Sequence, residues 1–108
     1  MKPLQTVSCP VKACMQFLEG AWTLEIYWYL KDSSLRFGEL KRQLGTVSPK
    51  VLTHRLRELE SLGAIKREVL DTYPPQVEYS LTDFGKTFIP LIQQIAHIGM
   101  DIIQKEKR

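Results

Sequence analysis

Residues Ser48 to Thr82 read SPKVLTHRLRELESLGAIKREVLDTYPPQVEYSLT. Ser48 suits a helix N-cap, and Pro49 suits the first helical position, where a missing N–H costs nothing. Leu52, Leu56 and Leu59 recur at i, i+4 and i+7, which predicts one buried face. Lys50, Thr53, His54, Arg57 and Ser61 fall on the opposite face. Gly63 ends the helix. Ile65, Arg67 and Val69 then alternate along a strand from Ala64 to Leu70, with the arginine stem packed and its head reaching out. Val77, Tyr79 and Leu81 repeat the period of two on a return strand, and DTYPPQ forms the tip between them. A basic helix face followed by a hairpin is the layout of a winged helix-turn-helix, whose recognition helix enters the major groove of DNA. The recognition helix is predicted over about 48–62 and the wing over about 64–81.

Upstream, Leu35 to Leu44 is read as the preceding helix, with Phe37, Leu40 and Leu44 as its apolar stripe. Gly45-Thr46-Val47 makes the turn between the two helices. Asp32-Ser33-Ser34 is a loop. Trp22 to Leu30 carries β-branched and aromatic residues that favour a strand, but length and context favour a buried helix. Cys9-Pro10 opens a helix to about Leu18, with Val11, Cys14, Met15 and Leu18 on one side. Gly20 interrupts, and residues 1–8 read as a frayed arm.

Downstream, Thr82 is expected to cap one last helix to about Gln104, bent near Pro90. Phe84, Phe88, Leu91, Ile95, Ile98 and Ile102 follow one another at steps of four and three. That spacing is an a/d seam. Closing the domain's own core is the plainer use of such a stripe. Apolar faces elsewhere already supply that core, so Phe88, Leu91, Ile95, Ile98 and Ile102 are expected to meet a second copy. The expected class is α+β, mostly α: a single domain over 1–108, with a C-terminal dimerisation helix over about 82–104.

Charge is unevenly distributed. Between Arg36 and Arg67 stand eight basic residues and three acids, so that window carries +5 in a chain of net +3, leaving −2 elsewhere. Basic charge gathered on the reading element is the electrostatic footprint of phosphate binding. A solvated helix surface would show the same charge, and it is the helix–hairpin order that favours DNA. Two cysteines are too few for a disulfide scaffold and match no zinc pattern, so no metal or cofactor is expected. No apolar run approaches the ~20 residues of a membrane span. The N-terminus lacks the apolar stretch of a signal peptide, which points to a cytoplasmic protein. Neither a nucleotide-binding loop nor a nucleophile elbow is present.

Taken together, Cys9-Pro10, Gly20, Trp22, Leu35-Arg36-Phe37, Glu39-Leu40, Ser48 to Thr53, Leu56 to Leu59, Gly63, Arg67, Pro74 to Thr82 and Gly85 carry a family pattern over roughly residues 9–99. In these residues the chain resembles the HxlR-type bacterial regulators, a winged-helix branch related to the MarR family. The resemblance implies a homodimeric transcriptional regulator, usually a repressor, joined through terminal helices. It also implies that the cysteine of the Cys-Pro pair, here Cys9, senses quinones, aldehydes or oxidants in several relatives. Two positions depart from the pattern. Ala21 precedes the tryptophan where relatives often carry a basic residue, and Gln76 occupies a wing position that is often basic.

Independently of the resemblance, Cys9 falls at a helix N-cap, where unpaired N–H groups and the dipole favour a thiolate, and Lys12 follows one turn later. The alternative is a structural cysteine with no sensing role. Cys14 falls on the apolar side and is expected to be buried and inert. Five residues along a helix give ~7.5 Å of rise and a ~140° turn, beyond disulfide reach. Any disulfide is therefore expected between subunits.

These readings converge on a dimeric repressor that binds a pseudo-palindromic DNA operator and responds to a small electrophile through Cys9. Lys50, Thr53, His54 and Arg57 are expected to face the groove. Ser48 would meet a phosphate at the helix N-terminus. Arg36, Lys41, Arg42 and one of Lys66 and Arg67 would hold the backbone. Two alternatives stand beside this: a winged-helix module that binds protein and no DNA, and a repressor controlled by a non-covalent ligand among Trp22, Tyr27, Trp28, Tyr29 and Phe37. A thiol enzyme is disfavoured, since Cys9 has no identifiable His or Asp partner.

Overall fold

The computed structural model describes residues 8–107, so the expected N-terminal arm lies almost wholly outside the described residues. Helices α1 (Pro10–Leu18) and α2 (Thr23–Leu30) are followed by β1 (Leu35–Arg36), α3 (Phe37–Leu44) and α4 (Pro49–Ser61). The hairpin β2 (Ile65–Leu70) and β3 (Gln76–Leu81) leads into the short α5 (Asp83–Lys86) and the long α6 (Ile89–Glu106). The sheet is antiparallel in the order β1-β3-β2. The fold is α+β and mostly α, a winged helix-turn-helix.

The leucine stripe of α4 is buried as its spacing predicts, against Leu40 and Leu44 of α3, Ile26 and Tyr27 of α2 and Ile65 of β2 in a single core. Tyr27 is fully buried and keeps its hydroxyl satisfied by donating to the Phe17 carbonyl at 2.9 Å. Burial pushes its ionisation well above the usual tyrosine range. That one bond ties α1 to α2. Phe17, Phe84 and Phe88 extend the contact as an aromatic cluster, with ring centroids 5.0–5.7 Å apart.

Four expectations need correction. Leu35 and Arg36 belong to a strand and not to α3: they pair with Tyr79 and Glu78, completing the ladder of β3 on its second edge. The last helix is two helices. Thr82 accepts from the Gly85 N–H at 3.0 Å and caps α5 alone, and the chain breaks at Thr87–Phe88 before α6 begins. Pro90 explains the break. It has no N–H to donate to the Lys86 carbonyl, and its ring excludes that carbonyl, so it is accommodated in the first turn of α6. The third correction concerns α1, which buries Phe17 and Leu18, while Val11, Cys14 and Met15 of the expected stripe are exposed. Finally, Phe88, expected on the outer seam, is only 9% exposed and packs on Phe17, Tyr27 and Phe84 in the chain's own core.

Gly85 shows how tightly α5 is seated on the sheet. A Cβ there would overlap the Ala64 carbonyl oxygen, which accepts from the Thr82 N–H at 3.1 Å.

Candidate nucleic-acid interface

Helix α4 is built to present one face outward. The Ser48 hydroxyl accepts from the Val51 N–H at 3.1 Å and Pro49 occupies the first turn, so the helix starts sharply at the end of the turn from α3. With Leu52, Leu56 and Leu59 held in the core, Lys50, His54 and Arg57 are exposed and Thr53 is half-buried beside them. His54 is not a free side chain. Its Nε2 lies 3.3 Å from Glu58 Oε2 one turn on.

The flanking cations sit in different settings. Lys41 and Arg42 occupy the last turn of α3, where positive charge also complements the helix dipole. Arg36 is the N-cap residue of α3: its backbone N–H donates to Glu39 Oε1 at 2.8 Å and its Nε lies 3.5 Å from the same oxygen. The Arg36 N–H, with the Arg36 and Arg42 charges, holds the Glu39 carboxyl below its usual range. Ser48 is committed to its cap but keeps a hydroxyl proton to donate.

Lys66 and Arg67 project to opposite faces of the wing. Arg67 pairs with Tyr79, in line with Ile65 and Leu81 on the core face. Lys66 pairs with Ser80 and shares the other face with Glu68 and Glu78, lining a polar cleft with Lys31 and Lys86. The wing tip, residues 71–75, is exposed and contains no cation, with Tyr73 fully exposed.

Cys9 is the N-cap residue of α1 and is exposed, and Cys14 is exposed as well, contrary to the expectation that it would be buried. Val11, Cys14 and Met15 are left uncovered, and only Leu18 of the expected stripe is buried. Among the described residues no group of His, Cys, Asp and Glu is disposed to hold a metal ion. No helix of the described residues is long and apolar enough to cross a membrane.

On α6 the chain buries Ile92 and leaves Leu91, Ile95, Ile98 and Ile102 42–54% exposed. Ile92 was missed because the seam runs one position away from it. Arg55 and Glu58 were also missed. Arg55 contacts the Ala21 carbonyl 34 residues away in sequence and Glu58 contacts Arg55, an arrangement that no local periodicity reveals.

An α4 presented this way beside a wing defines a helix-turn-helix regulator, and comparison with known proteins agrees. The model of the HxlR-like helix-turn-helix family matches residues 17–107, and the chain belongs to that family. It is a transcriptional regulator of the winged-helix class and not an enzyme. It is 38% identical over 91 residues to the uncharacterized HTH-type transcriptional regulator YybR of Bacillus subtilis (strain 168), covering 84% of this chain and 73% of YybR. Among solved structures it is similar to the redox regulator HypR in its oxidized form, with a TM-score of 0.83, 38% identity, and 86% and 96% of the two chains covered. It is also similar to a regulator assigned to the MarR family from Porphyromonas gingivalis W83, with a TM-score of 0.82, 42% identity, and 86% and 91% covered.

Proposed function

We propose that this regulator is a cytoplasmic homodimeric repressor, with α4 as its recognition helix in the major groove of a pseudo-palindromic operator. The observation that carries the reading is the outward face of α4. Lys50, Thr53, His54 and Arg57 stand opposite a fully buried leucine stripe, so the face is both cationic and rigidly held. Ser48 at the helix start, Lys41 and Arg42 at the end of α3, and Arg36 would take backbone phosphates on either side of the groove. Of the wing cations Arg67 is the better placed, because Lys66 lies on the face shared with Glu68 and Glu78. The uncovered stripe of Leu91, Ile95, Ile98 and Ile102 would join two copies about a two-fold axis. Selection from a randomised duplex library tests this reading. Two inverted half-sites about one helical turn apart, or a multiple of it, are expected. Enrichment of a lone half-site, or of nothing, contradicts it.

We further propose that Cys9 is the electrophile sensor. Its support is threefold: exposure, the N-cap position on α1, and likeness to a redox regulator. With a quinone, the sulfur adds to an electron-poor ring carbon and the thiol proton ends on the ring oxygen, leaving a thioether. Such an adduct shifts operator affinity only if it stabilises one dimer geometry over another. Because α1 carries the adduct and is tied through Phe17 to the aromatic cluster of α5 and α6, the two recognition helices would change their spacing. A quinone should release operator DNA from the wild type and from Cys14→Ser, and leave Cys9→Ser bound. Release of Cys9→Ser at the wild-type dose would remove the thiol from the mechanism and favour a non-covalent ligand.

A further inference from the structure

The turn between α1 and α2 is strained in a way that one side chain of α4 answers. Gly20 and Trp22 both have positive φ, +100° and 72°, and Ala21 lies between them. A glycine adopts that region freely and a tryptophan does not. Arg55, on the flank of α4, donates from Nε to the Ala21 carbonyl at 3.0 Å. Its guanidinium lies directly over Gly20, so that a Cβ at Gly20 would stand 2.8 Å from the Arg55 Cζ. Nη1 of the same group donates to Glu58 Oε2 at 3.3 Å, and this oxygen is also 3.3 Å from His54 Nε2. The guanidinium is largely covered, with the Arg55 side chain 21% exposed against 69% for His54. Two of its five N–H groups are therefore placed on partners within the chain, one on a carbonyl and one on a carboxylate.

We propose that Arg55 is a positioning residue for DNA recognition. It locks the rotation of α4 to the α1–α2 turn and, through Glu58, orders His54 on the reading face. It does this without touching DNA. The proposal rests on α4 being the DNA-reading helix. The geometry separates Arg55 from its neighbours in sequence. Arg57 projects its charge outward, whereas Arg55 spends its donors on a backbone carbonyl and a carboxylate.

The test compares Arg55→Lys, Arg55→Ala and Arg57→Ala for affinity to a selected operator duplex across a salt series, each at a temperature where circular dichroism shows the variant folded. Arg55→Lys keeps the charge but loses the fork. It should weaken binding ~10-fold, with the slope of log affinity against log salt unchanged, because no phosphate contact is lost. Arg55→Ala should do the same or more. Arg57→Ala should weaken binding, with the slope flattened by ~1 where its contact is to phosphate and unchanged where it is to a base. Gly20→Ala drives a Cβ into the guanidinium and also strains the backbone at φ +100° in any background, so it should weaken binding in the wild type and weaken it less in Arg55→Lys, a partial non-additivity that general destabilisation does not produce. Full affinity in Arg55→Lys, or a slope that falls by ~1 in Arg55→Ala, would overturn the proposal by making Arg55 an ordinary phosphate contact. Additive effects of Gly20→Ala and Arg55→Lys would overturn it too. If Arg57→Ala changes neither affinity nor slope, the assignment of α4 as reading helix fails instead. Should Arg55→Ala not fold, Arg55→Lys and the Gly20→Ala pair decide alone.

Discussion

Ile95→Glu combined with Ile98→Glu is expected to give a folded monomer that no longer holds its operator. Both side chains are exposed in the protomer, while Phe88 and Ile92 bury the inner face of the same region, so the protomer's own core loses nothing. In the proposed dimer the two positions lie at the seam. Two carboxylates there, met by the same two from the partner across a two-fold axis, cost several kcal/mol because they are buried in an apolar stripe beside like charges. Losing the dimer removes the linkage between half-sites, and avidity of this kind is worth ~10²–10⁴ in affinity. Light scattering should report half the wild-type mass, circular dichroism an undiminished helical signal, and a mobility shift no specific complex. A dimer that still binds DNA would take the seam out of the interface. Ile92→Glu provides the contrast, since it places a charge in the protomer core and is expected to unfold the chain outright.

Lys50→Ala and Arg57→Ala should each weaken operator binding with little change in thermal midpoint. Both lie opposite the leucine stripe and are exposed, so removal creates no cavity and leaves no buried polar group. A lost base contact is worth ~1–3 kcal/mol, or roughly a 5- to 150-fold change in affinity. A lost phosphate contact acts evenly on all sequences and lowers the salt slope by ~1. Repeating the titration on a nonspecific duplex separates the two. A residue that reads bases loses affinity for the operator alone, whereas one that holds phosphate loses affinity for both. Normal binding by both variants would mean that another face of α4 meets DNA.

Much of this was legible in the sequence because the decisive signals are local. The Ser48-Pro49 start, the leucine spacing and the period of two through Ile65 to Leu81 depend only on near neighbours, and they placed α4 and the wing. The opposition of Lys66 and Arg67 was also within reach, since residues adjacent in a strand face opposite ways. What escaped depends on distant partners. Two residues at 35–36 become a strand only because β3 offers an unpaired edge. The seam spacing runs unbroken through the Thr87–Phe88 break, so periodicity hid it and only the demands of Pro90 marked the place. A helix stripe is equally apolar whether it faces the core or a second subunit, which is why Cys14 was expected inside and lies outside. The Arg55 contact with the α1–α2 turn joins residues that no repeat connects.

The salt dependence of binding to a library-selected duplex tests most directly whether the basic face of α4 reads DNA. With six or more phosphates neutralised, affinity should fall ~10³-fold or more between about 50 and 200 mM salt. The inverted half-sites should compete against a scrambled duplex at every point of the series. A complex indifferent to salt, or one that a scrambled duplex displaces equally well, would contradict that reading, and the lack of any complex would favour a winged helix that binds protein and no DNA.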